Sequence, residues 1–385
     1  MSVALLGPTQ TTGLQQPKWQ DPALVEVIRQ ELAGLAPLVD VDAPGRLRNY
    51  LAEVAEGKAL VLQAGDCAED PGECTPELVG RKVLLINALA DVIGAISGKP
   101  VVRVGRIGGQ YAKPRSLPTE RVGDLELPVF RGHLVNSPVF DALERQADPQ
   151  RLRAGYRAAS EVMSHLGAGP GGGDPAVWTS HEALVLDYEM PLIRTDATGR
   201  KVLASTHWPW IGERTRQVDG AHVALLAQVS NPVACKVGPS MDVAQLLELC
   251  ARLDPHRKPG RLTLIARLGA DTVADALPPL VAAVKDAGHP VIWMGDPMHA
   301  NTVADRHGRK TRMIESIVRE IIHFQAAVRS ANVTPGGLHL EATPEEVSEC
   351  ISTGSAAADG RYTTLCDPRL NPLQAVSAVS AWSAG

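Results

Sequence analysis

Four side chains that can bind a metal ion are widely separated in this sequence. They are Cys67, His299, Glu341 and Asp367. One thiolate, one imidazole and two carboxylates form a mixed donor set, which suits Mn²⁺, Fe²⁺, Co²⁺ or Zn²⁺ better than Ca²⁺ or Mg²⁺, because the last two rarely accept sulfur. No local spacing motif links the four residues, so a metal site requires that the fold bring them together.

Four cationic side chains lie near the ends of apolar segments or just after them. They are Arg106, Arg214, Lys236 and Arg267. Arginine offers a planar fork that matches carboxylate and phosphate, and lysine offers a point charge. Four such groups in one place would repel each other without a highly charged ligand, so they predict a small anion with several negative charges. Beside a metal, they indicate a Lewis acid that polarises one substrate while an anionic substrate is held next to it.

The stretch RIGGQYAKPRS, residues 106–116, follows an apolar run and carries two adjacent glycines. Lys113, Arg115 and Ser116 follow around a proline. A turn that presents cationic and hydroxyl donors suits a phosphate group. We therefore expect this loop to hold a phosphate.

The elements that must position these residues are eight short apolar segments that alternate with amphipathic ones. The segments are 59–66, 100–108, 176–182, 202–208, 231–238, 262–269, 290–298 and 336–343. This alternation predicts an α/β fold, either a (β/α)8 TIM barrel or a doubly wound sheet, and favours the barrel. In a parallel barrel all C-terminal strand ends open on one face. We expect the side chains above to meet there, together with Glu182 and His207 at the ends of the third and fourth segments.

The first part of the chain has a different pattern. Residues 1–57 are predicted to form a helical extension, and residues 58–385 the catalytic barrel, within a single domain overall. Asp21 is a candidate N-cap, and Pro22 fits the first turn of the helix that follows.

Composition excludes several classes of partner. The 385 residues are 44% hydrophobic and carry a formal net charge of −5, so the chain has no basic field for nucleic acid. No apolar run approaches the ~20 residues of a membrane span, and the N-terminus does not resemble a secretory signal. Six cysteines without framework spacing suit a reducing cytoplasm.

Several long strings identify a known family. They are GDCAED, RIGGQYAKPRS, WTSHEALVLDYE, STHWPWIGERTRQVDGAHV, NPVACKVGP, DPMHANT, LHLEATPEEVSEC and CDPRLNP. In this order they resemble the type II 3-deoxy-D-arabino-heptulosonate 7-phosphate (DAHP) synthases from about residue 14 to the C-terminus. Among these, the chain is most similar to the short forms of phenazine and other antibiotic pathways.

The resemblance implies a metal-dependent barrel that condenses phosphoenolpyruvate with D-erythrose 4-phosphate, the first step of the shikimate pathway. The implied metal, Mn²⁺ first and Co²⁺, Fe²⁺ or Zn²⁺ as alternatives, would be bound by Cys67, His299, Glu341 and Asp367. Phosphoenolpyruvate would be bound by Arg106, Glu213, Arg214, Lys236 and Arg267. The aldose phosphate would be bound by Lys113, Arg115 and Ser116. The implied catalytic residues are Lys236, Glu213 and Glu182, of which either glutamate could orient the attacking water. A homodimer or homotetramer is also implied.

One departure and two alternatives qualify the resemblance. His133 in FRGHLVNS replaces an acid that is common in the family, which bears on aldose preference or loop packing rather than on catalysis. The sequence leaves open an amino-DAHP synthase that uses a nitrogen-substituted tetrose phosphate. A non-catalytic regulatory homologue should lack a metal-binding or phosphoenolpyruvate-binding residue, and none is missing.

Cys366 directly precedes Asp367, one of the implied metal ligands. We therefore expect Cys366 to lie near Cys67 and to form a reversible disulfide with it in the metal-free enzyme.

Overall fold

The structure is a computed structural model that describes residues 13–353 and 360–383. Its centre is a closed barrel of eight parallel strands, in which each strand pairs with its sequence neighbours and the last pairs with the first. The strands are β1 Leu60–Gly65, β2 Val101–Arg106, β3 Trp178–Glu182, β4 Trp208–Ile211, β5 Val233–Val237, β6 Leu262–Ala266, β7 Ile292–Gly295 and β8 Gly337–Glu341. This closure confirms the predicted TIM barrel and excludes the doubly wound sheet.

Helices surround the barrel and precede it. They are α1 Pro22–Gly34, α2 Ala43–Ala55, α3 Pro76–Ser97, α4 Gln150–Leu166, α5 Leu186–Glu189, α6 Ala221–Gln228, α7 Val243–Leu253, α8 Val273–Asp286, α9 Ile314–Ser330 and α10 Pro372–Val379. Helix α1 begins as predicted, since the Asp21 side chain accepts a hydrogen bond from Leu24 N and Pro22 occupies the first turn. Among the described residues, no helix is both long and apolar enough to cross a membrane.

In the part of the chain that the structure describes, three two-stranded hairpins interrupt the alternation of strands and helices. They are Thr119–Val122 with Leu125–Pro128, Ile193–Thr195 with Lys201–Leu203, and Thr302–Ala304 with Lys310–Arg312. The first lies in the long connection between β2 and β3, directly after the loop 106–116, and the third follows β7. Both connections leave from the C-terminal ends of their strands, where they can contribute side chains to a site.

The predicted fourth strand, 202–208, is wrong. Val202 and Leu203 belong to the second hairpin, whereas the barrel strand is Trp208–Ile211. Pro209 lies inside that strand, and a proline usually argues against a central strand, so the sequence pattern pointed to the preceding run. As a consequence, His207 lies before β4, at the end of the barrel opposite to the one predicted.

Helix α2 covers the N-terminal end of the barrel. Leu47 and Leu51 of α2 pack in one apolar core with Trp178 and Trp208, which begin β3 and β4. Gly260, just before β6, has φ +76° and approaches α2 so closely that a Cβ there would lie 2.3 Å from the carbonyl oxygen of Arg48. Only glycine fits such a contact and conformation. The N-terminal end is therefore closed by apolar packing.

Candidate functional site

One pocket at the C-terminal end of the barrel collects most of the predicted site residues. The predicted residues that line it are Arg106, Lys113, Glu182, Glu213, Arg214, Lys236, Arg267, His299 and Asp367. The strand register explains part of this convergence. Gly65 of β1 pairs with both Arg106 of β2 and Glu341 of β8. The side chains of Arg106 and Glu341 therefore lie at the same height in the barrel. Arg115 and Ser116 line a different cavity.

Three of the four predicted metal ligands form a compact group. The ligand atoms of His299, Glu341 and Asp367 all lie within 4.8 Å of one another. His299 Nε2 lies 3.4 Å from Glu341 Oε1. Burial lowers the pKa of His299, which favours the neutral imidazole that can donate a lone pair to a metal.

Cys67, the fourth predicted ligand, lies against this group and is fully buried. Its Sγ accepts a hydrogen bond from Asp367 N at 3.3 Å and lies 3.2 Å from Thr364 Oγ1. Burial opposes ionisation of Cys67, but a hydrogen bond from the Cys366 thiol and the charge of Lys113 outweigh it and lower the pKa of Cys67 to about 7. A thiol that ionises so readily, beside an imidazole and two carboxylates, fits a divalent transition metal.

Asp296, which sequence reasoning missed, joins the metal-capable group to the cations. Its Oδ2 lies 2.8 Å from His299 Nδ1 and 2.5 Å from Lys236 Nζ, and the carboxylate is completely buried. A carboxylate that holds the far nitrogen of a metal-binding histidine is a common arrangement, because it fixes the ring orientation and tautomer. The position of Asp296 directly after β7 was the available signal.

Lys236 is the cation with the most perturbed environment. It projects from β5 and is 5% exposed. Burial lowers the pKa of Lys236 to about 8, although the adjacent Asp296 opposes this effect. An ammonium with a pKa near neutrality can give up and take back a proton, as acid–base groups in active sites do.

Arg106 is held in a fixed orientation at the end of β2. Its Nε donates to Asp66 O at 2.9 Å, and its Nη2 donates to Cys67 O at 3.2 Å and to Glu341 Oε1 at 3.0 Å. The guanidinium carbon lies 5.3 Å from the centre of the Trp210 ring. The side chain is 1% exposed, so its charge acts in a largely desolvated setting.

His339 and Arg312 are two more buried residues that sequence reasoning missed. Arg106 Nη1 donates to His339 Nε2 at 2.6 Å, and burial together with the charge of Lys236 holds the pKa of His339 well below its usual range. Arg312 Nη1 donates to Glu341 Oε2 at 2.8 Å. Neither residue follows a strand end directly, which is why the pattern that found the others did not find them.

The predicted catalytic glutamates each have one carboxylate oxygen without a hydrogen-bond partner among the described residues, Oε1 of Glu182 and Oε2 of Glu213. Burial raises the pKa of Glu182, which favours its protonated form. Glu213 instead accepts from Arg216 Nη2 at 2.7 Å and remains in an ion pair. A buried unpaired oxygen beside a pocket is suited to bind a ligand or a water molecule.

The Gly108–Gly109 turn is organised by a buried glutamate. Glu69 Oε1 accepts from Gly108 N at 2.9 Å, and Oε2 accepts from Gly109 N and Gln110 N at 2.9 and 2.8 Å. A Cβ on Gly109 would lie 2.1 Å from Nδ1 of His181, so no other residue fits there. The backbone donors of this turn are therefore used internally rather than offered to a phosphate.

The three residues predicted for the aldose phosphate are divided between two cavities. Lys113 Nζ lies 3.4 Å from Glu341 Oε1 and 3.6 Å from Asp367 Oδ2, inside the metal-capable group. Arg115 and Ser116 line a neighbouring cavity of about 580 Å³, whose wall also includes Arg131. Arg214 Nη2 donates to Ser116 Oγ and so connects the two cavities.

His133 is not one of the residues that line the pocket of Lys236 and His299. Its ring meets that of Phe130 edge-on with centroids 5.4 Å apart, and burial lowers the pKa of His133. This packing agrees with the expectation that the departure at this position leaves the core of the site unchanged.

Comparison with known proteins assigns the chain to a family. The profile of the Class-II DAHP synthetase family matches residues 9–176 and 173–381. A probable phospho-2-dehydro-3-deoxyheptonate aldolase of Pseudomonas fluorescens is 56% identical over 379 residues, which cover 96% of this chain and 94% of that protein.

Two less similar relatives are named phospho-2-dehydro-3-deoxyheptonate aldolase without the word "probable". The phospho-2-dehydro-3-deoxyheptonate aldolase of Streptomyces coelicolor is 36% identical over 416 residues, covering 94% of this chain and 92% of the relative. The phospho-2-dehydro-3-deoxyheptonate aldolase AroG of Mycolicibacterium smegmatis is 37% identical over 422 residues, which cover 94% of this chain and 90% of the relative. Both alignments are longer than the 385 residues of this chain, which therefore lacks segments that these relatives contain. The prediction of an enzyme of the transferase type is confirmed, and the chain belongs to the Class-II DAHP synthetase family.

Proposed function

We propose that this protein is a DAHP synthase that condenses phosphoenolpyruvate with D-erythrose 4-phosphate to give DAHP and inorganic phosphate. The observation that carries the proposal is the shared pocket, in which Arg106, Lys236 and Arg267 lie beside His299 and Asp367. A pocket with several cations and a metal-capable group suits a small polyanion next to a carbonyl compound. The names of the relatives support the same reaction.

The metal ligands in this proposal are Cys67, His299, Glu341 and Asp367. A divalent ion bound there, most simply Mn²⁺, with Co²⁺, Fe²⁺ or Zn²⁺ as alternatives, would supply a Lewis acid that polarises the aldehyde of the aldose. Asp296 keeps the His299 ring oriented through its contact with Nδ1, and Arg312 holds the second oxygen of Glu341. The donor set is therefore fixed by hydrogen bonds before any substrate binds.

The anionic substrate is bound by the cations. Arg106, Lys236 and Arg267 would neutralise the carboxylate and phosphate of phosphoenolpyruvate, with Arg214 and Glu213 at the rim of the same pocket. Because Arg106 and Lys236 are almost fully buried, their attraction for an anion is screened little by solvent. Oriented binding of this kind brings the enol carbon close to the aldehyde.

In the reaction, C3 of phosphoenolpyruvate forms a bond with C1 of the aldose, and the aldehyde oxygen takes a proton. Water adds at C2, and the C2–O bond to phosphate breaks, which releases inorganic phosphate. Lys236, with its pKa lowered to about 8, and Glu182, with its raised pKa, are the candidate proton donors. The unpaired oxygen of Glu182 or Glu213 would orient the water.

The aldose phosphate is assigned to Lys113, Arg115 and Ser116. Arg115 Nη1 donates to Phe130 O at 2.8 Å, and Nη2 lies 3.5 Å from Glu120 Oε2, so its guanidinium is oriented before a ligand arrives. Lys113 lies nearer the metal ligands, where it would contact the carbonyl end of the same substrate. In this proposal the sugar phosphate bridges from the metal ligands to the loop, past the contact between Arg214 and Ser116 that connects the two cavities.

The biological setting is part of this proposal. We propose a cytoplasmic homo-oligomer, a dimer or tetramer, that feeds the shikimate pathway for aromatic or antibiotic synthesis and uses no nucleic acid or membrane. The high identity to the Pseudomonas fluorescens relative and the shorter length of the chain support the short form. The domain division at residues 57 and 58 stays a prediction. The alternatives are an amino-DAHP synthase and a non-catalytic regulatory homologue.

The test is a purified-enzyme assay with phosphoenolpyruvate and either D-erythrose 4-phosphate or an amino-tetrose phosphate. We expect Mn²⁺-dependent loss of phosphoenolpyruvate, equimolar phosphate release and a product with the mass of DAHP. Turnover with the amino sugar alone would establish the first alternative. No turnover with either sugar at any of the four metals, in protein that binds metal and phosphoenolpyruvate, would establish the second.

A further inference from the structure

A chain of buried polar side chains crosses the interior of the barrel below the pocket. It runs from Ser180 on β3 through Gln63 on β1 and His339 on β8 to Arg106 on β2, and we call it the interior chain. All four residues are at most 1% exposed. Gln63 and His339 are paired in register, while Arg106 projects from the barrel level just above them. Burying polar groups so deep in a barrel costs desolvation free energy, which their hydrogen bonds must offset.

The direction of each hydrogen bond in the interior chain follows from donor chemistry. Arg106 Nη1 can only donate, so His339 Nε2 accepts at 2.6 Å. The proton of the neutral ring is then on Nδ1, which donates to Gln63 Oε1. The amide nitrogen of Gln63 donates in turn to Ser180 Oγ. The neutral amide of Gln63 thereby selects the tautomer that leaves Nε2 available for Arg106.

Arg106 depends on this acceptor for its orientation. Its other two nitrogens donate to backbone oxygens and to Glu341, and within residues 13–353 and 360–383 only His339 accepts from Nη1. The ring of Trp210 supports the pair from one side, with centroids 5.3 Å from His339 and an interplanar angle of 90°. Without His339, the buried Nη1 would lose its acceptor while the contacts of Nε and Nη2 remain, so the guanidinium would be expected to shift from its present position and bind an anion in the pocket less well.

We propose that His339 is a positioning residue for Arg106 in the binding of phosphoenolpyruvate, and that Gln63 and Ser180 set its tautomer. This inference rests on the proposed function. A competing assignment is a metal ligand, because His339, Asp296 and His299 also have ligand atoms within 4.8 Å of one another. The interior chain argues against that assignment, since both ring nitrogens of His339 already have partners.

The experiment compares His339→Leu with His339→Gln, each loaded with Mn²⁺. Leucine removes the acceptor, whereas the amide oxygen of glutamine can replace Nε2. We expect His339→Leu to raise the KM and the dissociation constant for phosphoenolpyruvate about tenfold or more, as for loss of a hydrogen bond to a charged group. The KM for erythrose 4-phosphate and the metal content should stay at wild-type values. His339→Gln should recover most of the loss, and Ser180→Ala should show a smaller effect of the same kind.

His207→Leu is the matched control, because it removes another buried histidine at the opposite end of the barrel. It should lower Tm and leave the phosphoenolpyruvate constants unchanged. Loss of metal from His339→Leu would overturn the proposal in favour of ligation, and an unchanged phosphoenolpyruvate constant in an active variant would overturn it outright. If His339→Leu does not fold, Gln63→Leu serves instead. Failure of the proposed function differs from both results, because the wild-type enzyme would then not turn over these substrates.

Discussion

At the C-terminal end of the barrel, buried charges surround an open pocket, whereas at the N-terminal end helix α2 covers the strands with apolar side chains. Arg106, Lys236 and Asp296 are at most 5% exposed and are neutralised by each other or by neighbouring groups. At the other end, Trp178 and Trp208 pack with Leu47 and Leu51. The same strands support both, and the two longest connections, from β2 to α4 and from β8 to α10, leave from C-terminal strand ends and bring Lys113 and Asp367 to the pocket.

The two ends of the barrel also place histidine in different surroundings. His299 near the pocket contacts Asp296 through one nitrogen and approaches Glu341 through the other. His207 at the N-terminal end accepts from Thr179 N at 3.1 Å, and its Nε2 has no partner among the described residues. A histidine with two anionic neighbours is suited to metal binding, while His207, whose Nδ1 contacts only the backbone nitrogen and hydroxyl of Thr179 among the described residues, is suited to a packing role.

The largest expected effect is the loss of metal binding, which should follow from substitution of a histidine at the C-terminal end and not from substitution of one at the N-terminal end. His299→Ala should lower activity by more than about 100-fold, because in our proposal it removes a metal ligand rather than a supporting contact. Metal content, measured by elemental analysis, should fall with it. His207→Asn should leave metal content unchanged. Full turnover by metal-stripped wild-type enzyme in the presence of a chelator would contradict the metal assignment.

The second prediction divides the C-terminal end into two anion subsites. Arg267→Ala should mainly raise the KM for phosphoenolpyruvate. Lys236→Ala should raise the same KM and also lower kcat, since it removes a desolvated charge contact worth roughly 2–5 kcal/mol and a candidate proton donor. Arg115→Ala should mainly raise the KM for the aldose phosphate. Its effect should be smaller, because the side chain is partly exposed. Steady-state kinetics with each substrate varied in turn provide the test, and an unchanged aldose KM in Arg115→Ala would remove that residue from the subsite.

The third prediction concerns oxidation. The Cys366 thiol is hydrogen-bonded to Cys67, so mild oxidation of metal-free protein with diamide should form a Cys67–Cys366 disulfide and reduce metal affinity. Bound Mn²⁺ should protect both thiols, and dithiothreitol should restore binding. Cys366→Ser should remove the effect. Cys250→Ser should not, because burial raises the pKa of Cys250 to about 12. Peptide mapping that finds both thiols reduced after oxidation would refute the pairing.

The smallest effect on activity is expected at the N-terminal end, where the prediction concerns the pH dependence of stability. Burial lowers the pKa of His207 to about 3, below the unfolded value of about 6.5. The unfolded chain therefore binds a proton first as pH falls, so this contribution to stability is present above pH 6.5 and is lost toward pH 3. Because one pKa unit corresponds to about 1.4 kcal/mol, the loss should be at most about 5 kcal/mol.

The variant His207→Asn tests this pH dependence, since its amide oxygen can still accept from Thr179. Urea unfolding between pH 7 and 4 should show that the free energy of unfolding falls less steeply in the variant than in the wild type. Parallel curves would show that His207 does not contribute to acid sensitivity.

Much of the fold followed from the sequence because it depends on local pattern. Seven of the eight predicted segments contain their barrel strands, and the prediction of the fourth failed because Pro209 lies inside the actual strand. The candidate metal residues could be named because each follows a strand or matches a family string. His339 was not found, since nothing in its local sequence indicates which side chains lie opposite to it in the barrel, and Asp296 was overlooked although it directly follows β7.

The sequence by itself determined the alternation of strands and helices, the chemical types gathered at the strand ends and the family. Only the tertiary structure decided which of these side chains share one pocket. It placed Lys113 with the metal-capable group and Arg115 in the next cavity, and it moved His207 to the opposite end. The physical reason is that apolar periodicity specifies each element locally, whereas contacts such as Gln63 with His339 depend on barrel closure and strand register between residues distant in the chain.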